Sequence, residues 1–352
     1  MQGVVFLGDR HIGLSSFADP TPGPGEVVLE IKASGMCGTD LKYYRAAAGA
    51  GASAIGLKGG GESGPVIAGH EPCGVVVAVG PGVTGKQAYA GMRVMQHHYK
   101  GCDCCVHCWS GWSQMCVDGA AVYGATAHGA HAPYMKCPAN SLVPLREELS
   151  FSTGSAIACG TGTAWGALQR LDLQGHQTIA IFGQGPVGLS ATQLAVAMGA
   201  RVIALDISDE RLARATALGA QVAVNVGTAG AVADIVRDLT DGLGVHVAFE
   251  ASGAASARKQ AVECVRPWGK VCFVGEGGSM TLDVSNDLLR KQVTLMGSWT
   301  FSKAGLAECA DFVAERHVDV DRLFTDHWRL DQADEAYRKF DLQTGGKGVF
   351  LF

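Results

Sequence analysis

Short alternating runs fill the first part of the chain. "GEVVLEIKASG" (residues 25–35) puts apolar side chains at every second position, the period of a half-buried strand. "GVVVAVGPGV" (74–83) ends in a Pro-Gly turn, and "GMRVMQHHY" (91–99) reads as a further strand after a glycine. Between Arg45 and Pro65, "RAAAGAGASAIGLKGGGESGP" keeps no clear period and reads as a loop, with room for a helical turn in "RAAAGAGASAI". From Thr178 the pattern changes. "TIAIFG", "RVIALD", "QVAVNV", "VHVAFEAS", "GKVCFVGE" and "QVTLMGSW" are strand-like, and between most of them lie helix-like segments such as "PVGLSATQLAVAMG", "SDERLARATALG", "AVADIVRDLT" and "AASARKQAVECVR". Alternation of this kind predicts an α/β unit whose parallel sheet is covered on both faces. Helices around Leu306–Glu315 and Gln332–Phe340 and an apolar tail, "GVFLF", end the chain.

A length of 352 residues exceeds one ordinary core and points to two domains. The 28 basic and 33 acidic residues leave a formal charge of -5 with no dense basic run, so a nucleic acid partner is not expected. No stretch has the length and apolarity of a membrane span, and the N-terminus does not read as a secretory signal, so the expected location is the cytoplasm, with no membrane partner. In a reducing compartment, the 12 cysteines point to metal ligation or to small buried apolar groups ahead of disulfides.

"IFGQGPVG" carries Gly183, Gly185 and Gly188 in a G-x-G-x-x-G arrangement, with Pro186 and Val187 between the last two glycines. It lies between an apolar run and a helical pattern, where such a turn delivers backbone N–H groups to a pyrophosphate. Asp206 ends the next strand and can accept hydrogen bonds from ribose hydroxyls while repelling a 2′-phosphate, which favours NAD over NADP. Arg211, close by, is a group able to reach a phosphate.

"GCDCCVHCWSGWSQMC" (101–116) holds five cysteines. Cys102, Cys105, Cys108 and Cys116 can enclose a zinc ion in four thiolates, a closed set that stabilises a loop and leaves no position for substrate; Cys104 and His107 lie in the same loop and could enter another set. The reactive site then lies elsewhere. "MCGTD" supplies Cys37, Thr39 and Asp40, "AGHEPCG" supplies His70, Glu71 and Cys73, and "ACGTGT" supplies Cys159, Thr161 and Thr163. A Cys-His-Cys trio suits a zinc with one open position, although Cys73 as a ligand, or His70 as a core residue, competes with that reading.

Taken in order, "CGTD", "GHEPCG", the cysteine series, "CGTGT" and "GQGPVG" resemble the zinc-dependent medium-chain dehydrogenases, also called zinc alcohol dehydrogenases, from Val27 to the end of the chain. The resemblance implies a GroES-like catalytic domain over residues 1–155, a Rossmann domain over 156–298, and a segment 299–352 returning to the catalytic domain. It implies two zinc ions per chain, NAD, a small alcohol or carbonyl substrate and a homodimer or homotetramer pairing near Leu295. By position, Cys37, His70 and Cys159 resemble the catalytic zinc ligands and Glu71 the glutamate beside them. Asp40 resembles the carboxylate that orients the ligand histidine, and Thr39 the hydroxyl that relays the substrate proton. Thr163 resembles a residue near the nicotinamide, and Arg211 a second ribose contact.

Lys42 stands where many members carry a relay histidine, and the Cys37 to His70 interval is longer than in compact members; the extra residues form the Ala/Gly-rich loop, which either borders the cleft or is a surface insertion. The resemblance puts His98 at a position that commonly faces substrate, with Trp299 approaching the same pocket from the second domain; there His98 could meet a second hydroxyl, or be a solvent-facing or packed histidine. The expected reaction is reversible oxidation of a small primary or secondary alcohol or diol; a polyol dehydrogenase and a non-catalytic binding protein on the same fold are the alternatives.

Overall fold

The computed structural model describes residues 1–50 and 64–352; most of the Ala/Gly-rich loop lies outside the described residues. The alternating second half forms a six-stranded sheet, all parallel, in the order Val222–Asn225, Arg201–Asp206, Thr178–Phe182, Val245–Glu250, Val265–Phe273 and Thr294–Gly297. Its three central strands are almost wholly buried, so their side chains cannot alternate in and out. This explains why they read as continuous apolar runs. One boundary shifts: "VR" at 265–266 reads as the end of a helix but begins the strand Val265–Phe273.

The first half builds a mostly antiparallel sheet around Glu26–Gly35, which pairs with Pro72–Val79, Tyr134–Pro138 and Lys347–Leu351. Val27, Leu29 and Ile31 pack inward from alternate positions of the central strand with Val76, Val94 and Met135. Lys347–Leu351 also pairs in parallel with Phe324–Trp328, so two strands from the C-terminal end lie in the sheet of the first half. The helix Ala333–Asp341 packs on the same unit, placing Tyr337 against Phe6 and Tyr44.

Phe151–Ala156 and Gly162–Leu171 are α-helical, and between them Ile157–Thr161 widens into a π turn. A π turn shifts the helix register by one residue and commonly marks a functional position. This one carries Cys159. Among the described residues, no helix is long and apolar enough to cross a membrane.

Candidate active site and cysteine loop

A cavity of about 630 Å³ lies between the antiparallel and parallel units. Cys37, His70, Glu71 and Cys159 meet at its wall, with one donor atom of each within 4.8 Å of the others. They arrive by separate routes: Cys37 from the turn after the strand Glu26–Gly35, His70 and Glu71 from the approach to Pro72–Val79, and Cys159 from the π turn. The Cys37 and Cys159 sulfurs stand 3.9 Å apart. Two thiolates about 2.3 Å from one tetrahedral ion stand about 3.8 Å apart, so the pair matches the edge of a zinc site. Cys73 is not in the group; its thiol is buried in the core against Gly154 and Leu145.

Behind the ligand group, Asp40 Oδ1 lies 3.0 Å from His70 Nδ1. A proton on Nδ1 turns Nε2 into the metal-facing donor. Burial pushes the Asp40 carboxyl up, but His70, together with His131 and the Cys37 amide, outweighs it and holds the group below its ordinary value. Glu71 is fully buried and ion-paired to Lys347, whose ammonium also donates to the Met36 carbonyl at 3.0 Å. Lys347 gave no signal in the sequence, because its partner is far away along the chain.

Thr39 lines the cavity, and its side chain makes no capping bond to the helix Asp40–Arg45 that follows it. Lys42, one turn on, forms an ion pair across the cleft with Glu276, which also accepts from Trp299 Nε1 at 3.0 Å. Glu276, which lines the cavity, likewise gave no signal in the sequence. His98 is 2% exposed and lines the cavity; its Nδ1 lies 3.1 Å from the Ala158 carbonyl, an acceptor, so Nδ1 carries the proton. Burial, with His70 and His97 nearby, holds the His98 imidazole well below the usual histidine range, so the ring is neutral.

The parallel unit forms the opposite wall of the cavity. Thr163, Gly183, Gly185, Pro186, Val187, Gly188, Asp206 and Arg211 all line it. Gly183 has φ +86, and a Cβ on Gly188 would lie 1.7 Å from the Gly183 carbonyl oxygen, so this turn closes only with glycine. A Cβ on Gly185 would meet nothing within 4 Å: the chain there faces open space that a pyrophosphate can enter. Asp206 accepts from the amides of Ile207 and Ser208 at 2.8 and 2.9 Å, and Arg211 stands 3.9 Å from it.

Away from the cavity, the sulfurs of Cys102, Cys105, Cys108 and Cys116 also lie within 4.8 Å of one another. A Cβ on Gly101 would approach Cys108 Sγ to 2.4 Å, so the loop is drawn tightly round its thiols. His107 is absent from the group, and exposed Cys104 clusters with Cys102 and Asp118 instead. Four sulfurs fit a closed zinc site.

Two family models match the chain: an alcohol dehydrogenase GroES-like domain over residues 23–147 and a zinc-binding dehydrogenase domain over 186–315. An uncharacterized zinc-type alcohol dehydrogenase-like protein of Escherichia coli is 35% identical over 358 aligned positions, covering 100% of this chain and 99% of the relative. A sorbitol dehydrogenase of Bacillus subtilis is 29% identical, covering 96% and 93%. The structure of an alcohol dehydrogenase from Thermus superposes with a TM-score of 0.88 at 27% identity, covering 100% of this chain and 99% of that one.

Proposed function

Because the chain belongs to the zinc-dependent medium-chain dehydrogenases, we propose that it catalyses the reversible, NAD-linked oxidation of a small alcohol or diol to an aldehyde or ketone. The observation that carries this reading is the convergence of Cys37, His70 and Cys159 on one wall of a cavity that also holds the glycine turn and Asp206. Cys37, His70 and Cys159 would hold a catalytic zinc and the four cysteines of the loop a second one. When bound, the catalytic zinc supplies a Lewis acid that makes an alcohol hydroxyl more acidic, and NAD⁺ supplies the acceptor for the hydride leaving the adjacent carbon.

The chain's own residues complete the reaction. Thr39 receives the hydroxyl proton and passes its own outward, because a threonine at its ordinary acidity is a relay and not a terminal base. Lys42 is engaged by Glu276, so the terminal acceptor is water, and Lys42 serves the ribose or phosphate side of the cofactor. Asp206 receives the adenosine ribose hydroxyls, and its charge disfavours a 2′-phosphate. Arg211 adds a second contact on that side, and Thr163 borders the nicotinamide. The edge strand Thr294–Gly297, which contains Leu295, offers unpaired backbone groups for a homodimer or homotetramer.

One observation favours a polyhydroxylated substrate, as the sorbitol dehydrogenase relative takes. His98 offers a neutral acceptor beside the ligand group, and a second hydroxyl can donate to it. The test is NAD⁺ reduction across primary alcohols, secondary alcohols, vicinal diols and short polyols, with Cys37→Ala as control. Turnover confined to the wild type is expected; a zinc-loaded wild type that is inactive on the whole panel refutes the reading.

A further inference from the structure

On the side of Asp40 away from His70, the hydrogen bonding continues into the protein. Asp40 Oδ2 accepts from the Cys37 amide at 2.9 Å and from the Tyr337 hydroxyl at 3.1 Å. The Tyr337 oxygen lies 2.8 Å from His131 Nε2, and His131 Nδ1 lies 2.7 Å from the Ser34 hydroxyl. Donor directions follow from the end of the chain: an ionised carboxylate only accepts, so Tyr337 donates to it. The tyrosine oxygen then accepts from His131 Nε2–H, and His131 Nδ1 accepts from Ser34. Ser34, His131 and Tyr337 are each 0% exposed and Asp40 is 1% exposed, so water does not substitute for any member.

The placement ties the chain to the candidate ligands at three points. Asp40 holds the ring of His70 through Oδ1 and the backbone of Cys37 through Oδ2. His131 sits against the residue before His70: a Cβ on Gly69, which has φ +90, would lie 2.4 Å from His131 Nδ1. Tyr337 comes from the helix Ala333–Asp341, so the last part of the chain supplies a donor to the same carboxylate.

We propose that Tyr337 and His131 are positioning residues for the catalytic metal: they fix the Asp40 carboxylate, and through it the direction in which His70 presents Nε2. The inference rests on the reading of Cys37, His70 and Cys159 as metal ligands. Removing the Tyr337 hydroxyl leaves Oδ2 with one donor fewer and the His131 N–H without a partner, while the ring contacts with Phe6 and Tyr44 stay in place.

The test compares wild-type and Tyr337→Phe holoenzyme by zinc release to a chelator and by absorption after cobalt(II) substitution. The cysteine-loop metal serves as the internal marker of an intact fold. Metal affinity of the buried site is expected to fall about tenfold, the low end for partners outside the ligand set, with a changed cobalt spectrum and the loop metal retained. His131→Phe is expected to move both readouts the same way by a smaller factor, and it decides the matter if Tyr337→Phe loses both metals. Unchanged affinity and spectrum in folded variants overturn the inference alone. A wild type holding metal only in the cysteine loop overturns the metal reading and this inference with it.

Discussion

His98 shows how much one hydrogen bond decides at the residue scale. Its bond to the Ala158 carbonyl fixes the proton on Nδ1, and Nε2 makes no hydrogen bond among the described residues. A diol can therefore donate to His98 where a monohydric alcohol has nothing to offer. Substituting His98→Phe should lower kcat/KM for a vicinal diol, relative to a monohydric alcohol of the same length, by about fivefold, the worth of one net hydrogen bond of about 1 kcal/mol. Steady-state kinetics on the two substrates measure this, and an unchanged ratio would assign the pocket's preference to shape. The cysteines, His70 and Asp40 stand out in the sequence because their types and short motifs carry chemistry. Tyr337, His131, Glu276 and Lys347 do not: each acts on a partner remote in sequence, and alone each reads as an ordinary core or surface residue.

At the scale of elements, strands and helices of the second half are legible because a sheet covered on both faces demands continuous apolar runs. The π turn is not, since a register shift of one residue leaves the helical periodicity nearly intact. Its only trace is glycine at 160 and 162 inside a helical stretch, where glycine is costly; a Cβ on Gly162 would come within 2.5 Å of the Ile157 carbonyl oxygen. In the cysteine loop, spacing alone leaves the ligand set open, and geometry separates Cys104 from the four-sulfur group. Cys104→Ser should therefore keep the loop metal and full stability. Cys105→Ser should lose that metal, with Tm falling by about 3 °C, the shift expected for a loss of about 2 kcal/mol in a chain of 352 residues. Metal analysis and thermal unfolding of both variants check this, and equal metal loss in the two would show that Cys104 belongs to the set.

On the scale of the whole molecule, the cavity is a joint product of distant segments. The antiparallel unit brings Cys37 and His70, the helical passage between units brings Cys159, and the parallel unit brings the glycine turn and Asp206. Lys42 and Glu276 tie the two walls by an ion pair, and the chain's last strand delivers Lys347 to Glu71. Hydropathy marks "GVFLF" as buried but cannot name its partner strand, because pairing depends on hydrogen bonds to residues more than 300 positions earlier. Length and the change of hydrophobic pattern at Thr178 make two units readable, and the order of the motifs, with no single one of them sufficient, says which two. On the proposed function, Cys37, His70 and Cys159 hold a metal ion distinct from the one in the cysteine loop. Metal content of purified wild type and Cys159→Ala tests this most directly: about two zinc ions per chain should fall to about one, with NAD⁺ reduction abolished and the fold retained. About one zinc ion per chain in both proteins, with dehydrogenase activity undiminished in the variant, would contradict it.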